Sequence, residues 1–165
     1  DTDVVETSIR FLDGVMQEFI DKSNGKDSMI RTHRHALKGR ALGLGVMGWH
    51  SFLQKKGLPF NSIASTAWTH TIFSDIRQKA EAASRQMALE YGEPLWCRGT
   101  GMRNTHLLAI APTVSNSVIT GGISAGIEPL PANIYTFNGA KGTFIRKNKV
   151  LEVLLESSFL PLFKN

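Results

Sequence analysis

A chain of 165 residues with 42% hydrophobic residues, 20% charged residues and 15 glycines has the make-up of one globular domain able to bury a core, which excludes disordered and fibrous classes. Its single cysteine, Cys97, excludes an internal disulfide framework and a multi-cysteine zinc centre built from this chain alone. The net charge of +5 is unevenly spread: no carboxylate lies between Asp27 and Asp75, while Arg31, Arg34, Lys38, Arg40, Lys55 and Lys56 all fall there, which suits an anionic ligand, nucleic acid, an acidic partner or a solvated basic face.

In chain order, Val4, Ile9, Leu12, Val15 and Phe19 recur at spacings of three to five, with Met16 beside Val15, which predicts an amphipathic helix over 4–20, broken by "DKSNGKDS". "RTHRHALKGR" reads as a basic loop. "RALGLGVMGW" reads as a buried strand or a tight strand-to-helix junction, and "WHSFLQKKG" as a short helix ended by Gly57 and Pro59. From Ser62 to Tyr91 there is no glycine or proline, and Ile63, Ala67, Ile72, Ile76, Ala80, Ala83 and Met87 can share one face; a long helix is predicted, stopped at Gly92 and Pro94. "NTHLLAIAP" follows as a strand covered on both faces, then "TVSNS" as a turn rich in hydroxyl and amide groups. "ANIYTF" and "GTFIRKN" read as a hairpin about "NGAKG", and "KVLEVLLESS" as a last helix. The order predicts an α/β architecture. No apolar run approaches the ~20 residues that span a bilayer, and "DTDVVETSIRF" lacks the layout of a signal peptide, so a soluble, cytoplasmic protein is expected.

"GLGVMG", residues 43–48, matches the dinucleotide fingerprint G-x-G-x-x-G. A dinucleotide site also needs a returning strand and an acid about 20 residues on. The acid is missing as far as Asp75, and the chain passes into the long helix instead of a strand, so Gly43, Gly45 and Gly48 are read as serving close packing and a sharp turn.

"IAPTVSNSVITGG" has a better physical case. Pro112 ends a strand, and Thr113, Ser115, Asn116 and Ser117 supply donors where a helix can begin with its first amides free; such a place suits a phosphate, although a plain N-cap has the same sequence.

Three segments, "RALGLGVMGWHSFLQKKGLPF", "RNTHLLAIAPTVSNSVITGGISAGIEP" and "NIYTF", resemble in order and spacing the large, catalytic subunit of ribonucleotide reductase, of the oxygen-dependent class that reduces ribonucleoside diphosphates. The resemblance runs over residues 4–155. It implies a helix-rich part of the family's ten-stranded α/β barrel, with residues 1–165 as one piece of that domain: a helix and glycine-rich strand over 1–57, the long helix and a loop over 58–102, and the strand, phosphate loop, hairpin and last helix over 103–165. It also implies an allosteric, ATP-binding enzyme of deoxyribonucleotide synthesis for DNA replication. Pro112 and Thr113 would open the loop that grips the substrate phosphates, and Val114, Ser115, Asn116 and Ser117 would present amides and side-chain donors.

In that family a cysteine thiyl radical removes the ribose 3′-hydrogen, the 2′-hydroxyl leaves as water, and a cysteine pair supplies two electrons. The finger-loop asparagine, cysteine and glutamate and the redox cysteines find no match in this chain; Cys97, Tyr91 and Tyr135 lie in no matching motif, so no catalytic residue is assigned. The expected partners are a ribonucleoside diphosphate, the remaining parts of the large subunit, the small subunit whose metal generates the radical, and thioredoxin or glutaredoxin as reductant; no cofactor is expected to bind this chain directly. The chain is expected to be a piece of the subunit, either a fragment or the product of a split gene, and inactive by itself.

The rival reading is a basic module binding nucleic acid or a protein, resting on "RTHRHALKGR". A metal site at His33 and His35 is disfavoured, because neighbouring arginines repel cations and no carboxylate or cysteine is close in sequence. His50, His70 and His106 read as isolated histidines.

Overall fold

A computed structural model describes residues 3–139 and 142–159. The chain forms two compact units, Asp1–Gly45 with Thr69–Ala109, and Val46–Trp68 with Ile110–Asn165.

In the first unit, helix α1 (Val4–Ser23) starts where the Asp3 carboxylate accepts hydrogen bonds from the amides of Val5 and Glu6, at 3.0 and 3.3 Å. One stripe of α1, Val5 and Ile9 with Leu12 and Met16, meets Ala80, Ala83 and Met87 of the long helix α4 (Ile63–Tyr91) and Leu42, Leu44, Leu107 and Leu108. This is the core of the unit; Ile9 is wholly shielded from water, worth about 1.5–3 kcal/mol for a side chain of its size. Helix α2 (Ile30–Gly39) ends at Arg40, whose amide bonds the Ala36 carbonyl. The segment expected as a basic loop is therefore this helix. Ala36 and Gly39 are buried while Arg31 and Arg34 are exposed, so the charges lie on a solvated side.

The two expected strands meet as a parallel pair centred on Leu44 and Leu108. The Leu42 amide donates to the His106 carbonyl at 2.9 Å, that of Leu44 to Leu107 at 2.8 Å, and that of Ala109 to Leu44 at 3.0 Å. Two donors two residues apart thus bond to consecutive carbonyls, a bulge that limits the regular pairing to one bridge where full strands were expected.

Where these segments begin, a buried polar network ties them down. Arg40 Nε and Nη2 donate to the Asp13 carboxylate, each at 2.9 Å, Arg103 Nε donates at 3.0 Å, and Asn104 Nδ2 donates at 2.8 Å. The Ser84 hydroxyl donates to Asn104 Oδ1 at 2.8 Å. Burial pushes the Asp13 carboxyl up, but the hydrogen bonds from Arg40, Arg103 and Asn104 outweigh it and hold the group below the usual carboxylate range.

In the second unit, helix α3 (Trp49–Lys55) buries Leu53 and stacks Trp49 on Phe52 at 5.4 Å; Phe52 meets Trp68 edge-on at 5.6 Å. The Lys56 ammonium lies 5.4 Å from the centre of the Trp68 ring. Ser62 caps α4 by accepting the Ser65 amide at 3.1 Å. After a short helix α5 (Val114–Ile119), strands β1 (Ile134–Gly139) and β2 (Gly142–Lys147) pair antiparallel from Ile134 with Lys147 to Gly139 with Gly142, as expected of the hairpin. Part of the expected turn, residues 140–141, lies outside the described residues. Asn148, buried, accepts the Leu151 amide and so caps helix α6 (Lys149–Phe159). Among the described residues no helix is long and apolar enough to cross a membrane.

Candidate functional site

The loop from Ala111 to Gly126 in the second unit contains all six residues singled out from the sequence. Pro112 cannot donate to a strand ladder and ends the extended segment. Thr113 then takes a left-handed conformation, φ 43°, uncommon for a β-branched residue, and turns the chain into α5.

The helical bonds begin with the Ser117 amide donating to the Thr113 carbonyl at 2.9 Å. The amides of Val114, Ser115 and Asn116 stand ahead of that first bond, where a helix leaves its N–H groups for an outside acceptor. The side chains of Ser115 and Asn116 are exposed, as is that of Val114. Ser117 differs: it is buried and its hydroxyl donates to the Val114 carbonyl at 2.8 Å, so this donor is turned onto the loop's own backbone. The Thr113 hydroxyl oxygen accepts the Gly126 amide at 2.8 Å.

Gly126 is a partner that sequence reasoning missed. Its φ is +49°, and a Cβ there would stand 2.8 Å from the Ala111 carbonyl oxygen, a clash with backbone that no side-chain rotation relieves. Its only signal in the sequence is the glycine of "GIEP". Gly48, the last glycine of "GLGVMG", has φ +80° and begins α3, donating its amide to the Ser124 carbonyl at 2.8 Å.

His50 Nδ1 accepts the Leu130 amide at 3.1 Å, and burial pushes its pKa down, so the ring is held neutral as an acceptor. Histidines 33 and 35 diverge: His33 Nδ1 pairs with the Ser23 hydroxyl at 3.0 Å, and His35 meets Trp96 edge-on at 4.8 Å. Among the described residues no three histidine, cysteine or carboxylate side chains group to hold a metal ion. Cys97 is buried in the first unit; burial, and then the nearby Glu93 charge, push its thiol pKa up, the reverse of what a nucleophilic thiolate needs.

The family described as "Ribonucleotide reductase, barrel domain" matches residues 2–96 and 97–160. A ribonucleoside-diphosphate reductase large subunit of Invertebrate iridescent virus 3 is 37% identical over 88% of this chain and 23% of its own length. A vitamin B12-dependent ribonucleoside-diphosphate reductase of Mycobacterium tuberculosis (strain ATCC 25618 / H37Rv) is 33% identical over 81% of this chain and 19% of its own length. Among solved structures, the Actinobacillus ureae class Id ribonucleotide reductase alpha subunit is 42% identical, with a TM-score of 0.86, over 97% of this chain and 29% of that one. The chain thus spans less than a third of the length of each of these relatives. The family match across nearly the whole chain, with relatives above 30% identity, is decisive: the chain belongs to the ribonucleotide reductase barrel-domain family, of α/β class.

Proposed function

We propose that this chain serves in a ribonucleoside-diphosphate reductase large subunit, as one piece of its barrel domain, and that the loop Pro112–Ser117 holds the substrate's phosphates. The observation that carries the reading is the row of amides at Val114, Ser115 and Asn116, free of intrahelical bonds and flanked by the exposed side chains of Ser115 and Asn116. Pro112 and Thr113 shape the approach, Ser117 fastens the first turn from within, and Ser115 and Asn116 add side-chain donors to the amides. A phosphate oxygen meeting several such donors gains charge-assisted hydrogen bonds without a lysine.

Holding the diphosphate end fixes where the ribose lies, which is the orientational share of catalysis. The radical chemistry belongs to residues outside this chain: the thiyl-forming cysteine, the redox pair, and a metal-containing small subunit as the radical's source. Thioredoxin or glutaredoxin as reductant, allosteric control by ATP, a role in DNA replication and a cytoplasmic location belong to the same proposal.

The test is CDP reduction by this chain assembled with the remaining parts of a large subunit and its small subunit. Ser115→Ala is expected to raise KM about tenfold, the loss of one hydrogen bond to a charged group, with kcat nearly unchanged. An unchanged KM would remove Ser115 from the phosphate site. The solvated basic side of α2, with Arg31 and Arg34 exposed, favours a second reading, binding of nucleic acid. Salt-sensitive DNA binding lost in Arg31→Glu and Arg34→Glu would support it.

A further inference from the structure

We propose that Ser51, Ser124 and Gly126 form a clasp that positions Thr113 and thereby aims the amides of loop 113–117; the inference rests on the phosphate-loop reading above. Thr113 sits at φ 43°, which a β-branched residue keeps only when its surroundings hold it. The holding contact is the Gly126 amide donating to Thr113 Oγ1 at 2.8 Å.

Gly126 is fixed in turn. The Trp49 amide donates to its carbonyl at 3.3 Å, and the Gly48 amide donates to the Ser124 carbonyl at 2.8 Å. The two serines close the arrangement reciprocally: the Ser51 amide donates to Ser124 Oγ at 3.2 Å, and the Ser124 amide donates to Ser51 Oγ at 2.9 Å. Both serines are buried, Ser124 completely, so these bonds are shielded from competing water.

The first turn of α3 therefore grips the turn 124–126, which grips the residue that opens the loop. None of the three clasp residues is placed at the phosphates. Each acts through Thr113, as a positioning residue. On the other side of Gly126, the Ala111 carbonyl oxygen lies 2.8 Å from where a Cβ would go, so a side chain there pushes on the backbone directly before Pro112.

The experiment measures competitive inhibition of CDP reduction by pyrophosphate and by cytidine in the same assembled enzyme, for Gly126→Ala, Ser51→Ala, Ser124→Ala, Thr113→Val and Thr113→Ser. Thr113→Val keeps the shape and removes the acceptor, whereas Thr113→Ser keeps the acceptor. A misaimed loop is expected to raise the inhibition constant of pyrophosphate about tenfold, the equivalent of one hydrogen bond, and to leave that of cytidine unchanged. Thr113→Ser, which retains the acceptor for the Gly126 amide, is expected to raise the inhibition constant of pyrophosphate less than Thr113→Val does, and an equal rise in the two would overturn the clasp. Ser51→Ala and Ser124→Ala keep the test open if Gly126→Ala does not fold. Equal weakening of both inhibitors would mean general loosening and overturn the clasp. Unchanged pyrophosphate inhibition in the clasp variants, with Ser115→Ala impaired, would overturn the clasp and leave the phosphate loop standing. Unchanged inhibition in Ser115→Ala as well would overturn both.

Discussion

Asp13 accepts hydrogen bonds from two guanidinium groups and an amide inside the first unit, and its removal leaves those donors facing one another. Asp13→Ala is expected to lower stability by about 3 kcal/mol, the range for breaking a buried pair and leaving a charge uncompensated, read as an earlier urea midpoint. The carboxyl lies below the usual range in the folded chain, so the unfolded chain takes up the proton first as pH falls. Its contribution is present above the unfolded value, near pH 4, and is lost as pH falls through the lower folded value. Urea titrations between pH 6 and 2 are expected to show this acid slope, and Asp13→Asn to flatten it. At the candidate site, the six residues divide by what their atoms already do: Ser117 directs its hydroxyl to the Val114 carbonyl, whereas Ser115 keeps an exposed side chain beside amides that begin the turn. The tenfold KM effect is therefore expected for Ser115→Ala, as measured by CDP reduction.

Among the elements, those legible in the sequence were those with local rules. The apolar spacing of 4–20 gave α1, the glycine-free stretch gave α4, and alternation about a turn gave β1 and β2. Helix α2 was missed because five of its ten residues are basic or histidine, and its buried side is reduced to Ala36 and Gly39, too small to leave a periodic apolar signal. The strands around Leu44 and Leu108 were legible as apolar runs, but their register depends on a bulge that apolar runs do not encode. For the same reason the loop's donors could be found in "PTVSNS" while the clasp could not: Ser51 and Ser124 look like ordinary serines until the fold brings them together. Helix caps are local devices, and they make the simplest test for a single element. Ser62→Ala removes the acceptor of the Ser65 amide at the start of α4 and is expected to lower stability by about 1 kcal/mol, measured by thermal or urea unfolding.

For the whole chain, two compact units are each assembled from two separate stretches of sequence, and each unit has its own buried residues: Ile9 and Met87 in one, Leu53 and Val150 in the other. Membership of the reductase barrel-domain family was legible in three quoted segments that include Gly48, Pro112 and Gly126, and at the two glycines a positive φ restricts the residue that can stand there. The parallel pairing of Leu44 with Leu108 joins segments far apart in the chain, while α1, α4 and the hairpin are made of neighbours. Closing a long loop must be completed before its few bonds repay the lost entropy, so time enters here. During refolding, helical amides of α4 and those of β1 and β2 are expected to become protected from hydrogen exchange first. The amides of Leu42, Leu44 and Ala109 should follow, and with them the still longer-range bonds of Ser51 with Ser124, so that these pairings form the late interval in the chain's assembly and the one most exposed to interruption.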